Sequence, residues 1–213
     1  MLLGGVPGVY PGHVVIIGGG IVGLEAARMA LGLGAKVTVL DKNLSRLREL
    51  DRHYGPEMTT IFSNSQTIEE ALVHADLVIG AVLIPGKVAP KLVTREMLKK
   101  MTPGTVMMDV AIDQGGCFET SHPTTHRNPI YQVEGIVHYC VTNMPGACAR
   151  TATLALTNST QSYVLELANK GYRLAMLENT GLRNGLNVYK GKITNPFVAV
   201  DLDYEYTPPE SIL

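Results

Sequence analysis

Short apolar runs alternate with amphipathic stretches through the first two thirds of the chain, and their spacing predicts strands and helices in turn. His13-Val14-Val15-Ile16-Ile17 reads as a buried strand, Glu25 to Leu31 as a helix and Lys36 to Asp41 as a second strand. Leu44 to Asp51 follows as a short helix, with Asn43 or Asp41 near its start. Met58 to Phe62 reads as a strand that runs into the loop Ser63-Asn64-Ser65. Thr67 to Val73 is predicted helical, with Glu69 and Glu70 in a first turn whose dipole favours acids. Asp76 to Val82 reads as a buried strand closed by Pro85-Gly86, and Thr94 to Lys100 as a helix capped by Thr94. After the Pro103-Gly104 turn, Thr105 to Val110 and Ile136 to Cys140 are two more strands. Such alternation predicts an α/β fold, a doubly wound, mostly parallel sheet with helices on both faces. Beyond Asn143 the pattern changes. Thr153 to Asn169 becomes one long helix with Leu156, Tyr163, Val164 and Leu167 on one face and Gly171 as its stop, and Tyr172 to Glu178 a further helix. The expected division is therefore residues 1–150 and residues 151–213, the second part being too small for an independent core.

Chemistry enters at the first turn. Gly18-Gly19-Gly20-Ile21-Val22-Gly23 sits between strand and helix, and Asp41 closes the next strand. Strand, glycine turn, helix, strand, acid is the order of a dinucleotide-binding Rossmann-type βαβ unit. Gly18 lets the chain turn sharply, Gly20 lets backbone approach a pyrophosphate, and Gly23 lets the helix pack on the strand. The start of the helix offers free N–H groups to the phosphates. An acid at position 41 accepts from ribose hydroxyls and repels a 2′-phosphate, so NAD is expected rather than NADP; Lys42 beside it argues mildly the other way. In such sheets ligands lie beyond the carboxyl ends of the strands, which singles out the loops holding Arg46, Ser63, Val82 and Leu83, Ile112 and Asp113, and Asn143 and Met144. Asp113 is expected to end a strand, near the reactive end of a bound dinucleotide. The competing reading is a turn aspartate that bonds its own backbone ahead of Gly115-Gly116.

Composition narrows the classes. With 46% hydrophobic and 17% charged residues the chain reads as a well-packed globular protein and not as a disordered one, and a net charge of −1 gives no footprint for nucleic acid or an anionic membrane. Cys117, Cys140 and Cys148 have no metal-ligand spacing and read as reduced thiols of a cytoplasmic protein. Neither a secretory signal nor an uncharged apolar span of about eighteen residues is visible.

Several segments together resemble the L-alanine dehydrogenase family. They are Gly4-Gly5-Val6-Pro7-Gly8-Val9, the glycine turn, Gly80-Ala81-Val82-Leu83-Ile84-Pro85-Gly86, Asn143-Met144-Pro145-Gly146, Leu154 to Asn158 and Leu167 to Gly171. The run Asp109-Val110-Ala111-Ile112-Asp113-Gln114-Gly115-Gly116-Cys117 is more particular than any of these. The resemblance implies reversible conversion of L-alanine, NAD and water into pyruvate, ammonium and NADH. By position it implies Gly20, Asp41, Arg46 and Ser63 as contacts to the adenosine and pyrophosphate side. Asp113 is implied as the catalytic aspartate beside the nicotinamide, with Asn143 and Met144 as its neighbours.

In that family the coenzyme domain is inserted in a catalytic domain built from both ends of the chain. The N-terminal part, with a lysine and a histidine at the substrate and an arginine for its carboxylate, has no counterpart here. His13, His53, His74, His122 and His126 offer no substitute, and His138 lies in an apolar strand where a satisfied core residue is expected. The long helix would then expose a face that normally packs, which forfeits about 1.5–3 kcal/mol per large side chain. The expectation is a chain whose residues 1–150 form the NAD-binding domain and whose C-terminal helical segment belongs to an incomplete catalytic domain, so that it binds NAD but turns over alanine poorly or not at all. A linked expectation is that the missing half is supplied by another polypeptide or lost by truncation or frameshift. Family members are implied to be homo-oligomers, commonly hexamers. Two alternatives stand beside this: the NAD(H)-binding subunit of a transhydrogenase, and a non-catalytic NAD(H)-binding module.

Overall fold

Strand β1 (His13–Ile17) lies inside a seven-stranded sheet, between β2 (Lys36–Asp41) and β4 (Leu77–Gly80). β3 (Met58–Phe62) lies outside β2. Beyond β4 come β5 (Val106–Asp109), β7 (Ile136–Tyr139) and the edge strand β6 (Ile130–Val133), giving the order 3-2-1-4-5-7-6. All pairings are parallel except β6 with β7. The computed structural model describes residues 1–83 and 88–213 of the chain, which form two compact units, Met1–Met144 and Pro145–Leu213.

The sheet is buried on both faces because β1 supplies an apolar side chain to each in alternation. Val14 and Ile16 pack with Ala27 and Ala30 of α1 (Ile21–Gly32) and Leu50 of α2 (Leu44–Tyr54). Val15 and Ile17 join Ile68 and Leu72 of α3 (Ser65–Val73), Met97 and Leu98 of α4 (Arg95–Leu98), and Phe118. This is the Rossmann-type doubly wound arrangement the alternation predicts.

Local capping shifts several boundaries. α1 begins at Ile21, a full turn before the Glu25 pattern, and α2 runs on to Tyr54. The Asn64 side chain accepts from the Thr67 N–H at 2.9 Å and the Thr67 hydroxyl accepts from the Asn64 N–H at 3.0 Å, so α3 begins at Ser65. Glu69 and Glu70 consequently fall beyond the first turn; Glu69 pairs with Lys100, and Glu70 accepts from the Gln66 amide at 2.9 Å. Thr94 caps α4 as expected, but the helix is a single turn. β4 ends at Gly80, and the predicted Pro85-Gly86 stop lies outside the described residues.

The unit Pro145–Leu213 carries α5 (Ala149–Glu178), which begins one turn before Thr153. Gly171 breaks it with φ 73° and ψ 155°, so the predicted stop and second helix are both present. α6 (Thr180–Asn184), the hairpin β8 (Val188–Tyr189) and β9 (Lys192–Ile193), and α7 (Pro196–Asp201) complete the unit. Leu156, Tyr163 and Val164 are exposed, as are Leu154 and Leu165 on a different face of α5, while Leu167 is half-buried. No helix among the described residues is long and apolar enough to cross a membrane.

His138 on β7 is fully buried between the Ile136 carbonyl (Nδ1, 3.1 Å) and the Thr120 hydroxyl (Nε2, 2.8 Å), a satisfied core residue. Burial lowers its pKa from the ordinary 6.5, and burial with the nearby Lys36 charge does the same to His13. Both take up protons more readily once unfolded, so their contribution is intact above about pH 6.5 and is lost as pH falls below it. Thermal unfolding should occur at a lower temperature at about pH 5.5 than at pH 7.5, and His138→Gln should shrink that difference.

Candidate functional site

Because six of the strands run parallel, the loops that follow them gather along one edge of the sheet. The connections diverge between β1 and β4, and the crevice opens there. The three glycines of the turn after β1 differ sharply in what the protein itself demands of them. Gly18 has φ +105°, and a Cβ on it would lie 2.7 Å from the Ala81 carbonyl oxygen in the loop after β4. A Cβ on Gly23 would lie 1.8 Å from the Gly18 carbonyl oxygen, so only glycine lets α1 sit this close to the strand end. A Cβ on Gly20 would meet nothing within 4 Å. The fold has no use for glycine at position 20. The space over it is open.

Gly20 is also the N-cap of α1, where no side chain bonds the first amides and no acid lies in the first turn. α5 starts in the same way, whereas α2, α3, α4, α6 and α7 are each capped by an Asn or Thr side chain. The α1 terminus therefore presents uncapped N–H donors and a partial positive charge. Ile21 and Val22 beside it are exposed, at 83% and 49%. In the loop after β4, Leu83 is exposed and Val82 half-buried.

Asp41 and Arg46 grip the turn from the β2 side. Asp41 Oδ2 accepts the Gly19 N–H at 2.7 Å and Oδ1 accepts the Asn43 N–H at 2.7 Å. Arg46 Nε donates to the Gly19 carbonyl at 2.6 Å, and its guanidinium pairs with Glu49 at 2.7 Å. Each carboxylate oxygen keeps a free acceptor position. Ser63 is buried at the end of β3, its N–H donating to the Asp41 carbonyl at 2.9 Å.

Asp113 does not end a strand. β5 stops at Asp109, and Val110–Gln114 form a 3-10 turn that carries Asp113 beyond it. Its carboxylate is exposed and accepts no hydrogen bond among the described residues, while Ile112 beside it is buried. The aspartate that bonds the local backbone is Asp109, which sequence reasoning missed. It is fully buried, and its carboxylate accepts the N–H groups of Ala111 (3.1 Å), Cys117 (2.8 Å) and Phe118 (3.3 Å) and the Ser121 hydroxyl (2.5 Å). The available signal was an acid inside the apolar run Val106-Met107-Met108-Asp109-Val110, since a buried charge requires partners. Gly116 has φ +76°, and a Cβ there would lie 2.7 Å from Asp109 Oδ2, so the double glycine belongs to this loop's shape. Burial and the Asp109 carboxylate push the Cys117 thiol well above its ordinary pKa, leaving it inert at neutral pH. Asn143 adopts φ +57° past the end of β7 and its carbonyl is bonded to His126 Nε2 at 3.0 Å; Met144 is half-buried.

The glycine turn thus touches Asp41, Arg46 and the loop after β4. That strand in turn meets the Asp113 loop, because a Cβ on Gly80 would lie 2.3 Å from Cys117 Sγ. Asn143 and Met144 share the edge and, among the described residues, make no hydrogen bond to these groups. No group of three His, Cys, Asp or Glu side chains among the described residues is arranged to hold a metal ion.

Comparison with known proteins places this geometry in a family. Residues 1–196 match the family described as alanine dehydrogenase/PNT, C-terminal domain. The chain is 57% identical to the alanine dehydrogenase of Halomonas elongata and 56% identical to that of Bacillus subtilis, over its whole length and 57% of each relative. It therefore spans little more than half the length of these curated relatives. A solved L-alanine dehydrogenase superposes with a TM-score of 0.88 at 52% identity, covering 95% of this chain and 56% of the other. A transhydrogenase from Sinorhizobium meliloti gives 0.68 at 26% identity, covering 87% and 50%. The chain belongs to the alanine dehydrogenase/PNT C-terminal domain family.

Proposed function

We propose that the chain binds NAD(H) in the crevice between β1 and β4 and forms the coenzyme-binding part of an L-alanine dehydrogenase. The open space over Gly20, at a position where the fold makes no demand for glycine, carries this reading. A pyrophosphate seated there meets the uncapped amides of α1, with Ile21 and Val22 alongside. Asp41 receives the adenosine ribose hydroxyls on its spare acceptor positions, and Arg46 and Ser63 shape the turn around it. Val82 and Leu83 form the apolar rim, and Ile112, Asp113, Asn143 and Met144 face the nicotinamide half.

The bound nicotinamide supplies a hydride acceptor for the alanine Cα. Asp113, exposed and unengaged among the described residues, holds a negative charge where the substrate nitrogen becomes cationic and orients the water that releases ammonium and pyruvate. Identity of 52% to an alanine dehydrogenase structure against 26% to the transhydrogenase favours the amino-acid enzyme. The exposed apolar side chains of α5 fit burial in a homo-oligomer, a hexamer on the family pattern. Formation of pyruvate by the purified 213-residue chain should be far slower than by full-length relatives; a matching rate would overturn the assignment of part of the catalytic machinery to the unmatched length.

Coenzyme choice is tested at Asp41. Titration should show NADH bound at least about tenfold more tightly than NADPH, since a 2′-phosphate would face the carboxylate. Asp41→Ala should weaken NADH about tenfold and bring the two coenzymes together, a charge-assisted hydrogen bond being worth about 1.5–3 kcal/mol. Unchanged discrimination would remove Asp41 from the site.

A further inference from the structure

We infer that Asp109 and Lys91 are positioning residues that hold the 110–118 loop in one shape and so place the Asp113 carboxylate; this rests on the coenzyme reading above. The two charges divide the loop's backbone between them. Asp109 takes the amides of Ala111, Cys117 and Phe118. Lys91 Nζ has three protons and spends them on three carbonyls, Gly115 at 2.6 Å, Gly116 at 2.9 Å and Phe118 at 3.1 Å.

The backbone around the double glycine is bonded from other directions as well. Ala89 N–H donates to the Gln114 carbonyl and Leu92 N–H to that of Cys117, both at 2.8 Å. The Gly115 and Gly116 amides return to Ile112 and Ala111, both at 3.0 Å. Every carbonyl from Gln114 to Phe118 thus has a donor, and every amide from Gly115 to Phe118 has an acceptor. A segment whose backbone is bonded throughout Gly115–Phe118 has no cheap alternative conformation. Asp113 is its exposed, unbonded carboxylate, while the neighbouring Gln114 Oε1 is buried without a partner among the described residues; a group that must meet a reacting centre benefits from such preorganisation. Lys91 is exposed, so its loss leaves the core untouched.

The test separates placement from folding. ADP-ribose lacks the nicotinamide ring, so the ratio of NADH to ADP-ribose affinity reports the half of the crevice that Asp113 faces. In the 213-residue chain, Lys91→Met should fold with the parent's melting temperature within a few degrees and bind ADP-ribose as the parent does. Its NADH preference over ADP-ribose should fall about fivefold, and the emission of bound NADH should move toward that of free NADH. Lys91→Arg should recover most of both. Asp109→Asn, which places an amide against several donors, should lose more. An unchanged ratio and spectrum in Lys91→Met would overturn the inference, as would a parent that binds both ligands equally with the emission of free NADH. A parent that binds neither ligand fails the coenzyme reading itself, and the two failures are thereby told apart.

Discussion

Gly23→Ala should lower the melting temperature of the chain by about 6–12 °C, the shift expected for about 3 kcal/mol in a protein of this size. The new methyl carbon would sit 1.8 Å from the Gly18 carbonyl oxygen, far inside van der Waals contact. Both partners are backbone, so no side chain can rotate away. α1 would have to lift from β1, opening the packing of Val14 and Ile16 on Ala27 and Ala30. The same movement disturbs Gly19, which Asp41 and Arg46 hold at its N–H and its carbonyl. Coenzyme affinity should fall with stability in this variant. A melting curve that superposes on the parent's would show that the helix does not rest on this glycine.

Gly20→Ala should do the opposite. With nothing within 4 Å of the added carbon and a φ of −64° that any residue adopts, the melting temperature should stay within a few degrees of the parent's. NADH affinity should nonetheless fall by about ten- to a hundredfold, or about 1.4–2.8 kcal/mol, because the methyl group occupies the approach of the pyrophosphate to the α1 amides. The pair of variants dissects the motif. One glycine is required by the protein and the other by its ligand. Equal NADH binding in Gly20→Ala and parent would leave position 20 without a function.

Which parts were readable from sequence follows from how strongly each residue's neighbours constrain it. The three strands at His13–Ile17, Lys36–Asp41 and Met58–Phe62 coincide with their sequence boundaries. β1 and β2, covered on both faces, read as near-continuous apolar runs. β6 was missed because Ile130-Tyr131-Gln132-Val133 is a half-exposed antiparallel edge with mixed polarity, which follows a Pro/Thr-rich loop. The first turn of α1 was hidden by β-branched Ile21 and Val22, which are poor helix formers, yet the glycine turn places them there exposed. The glycine motif and Asp41 were readable because strand, helix and acid stand at a fixed spacing. Asp109 shows only as an acid in an apolar run, with nothing to name its partners, and Lys91 gives no signal, since it bonds backbone carbonyls 24–27 residues further on and backbone carries no sequence signature. The local backbone bonding that the competing reading gave to Asp113 falls to Asp109, four residues earlier.

The central claim is that the crevice between β1 and β4 holds a nicotinamide dinucleotide, and calorimetric titration of NADH into the 213-residue chain tests it most directly. Saturable heat with one site per chain, a dissociation constant below about 1 mM, and loss of that heat in Gly20→Ala are expected. Absence of saturable heat from the folded parent would contradict the claim.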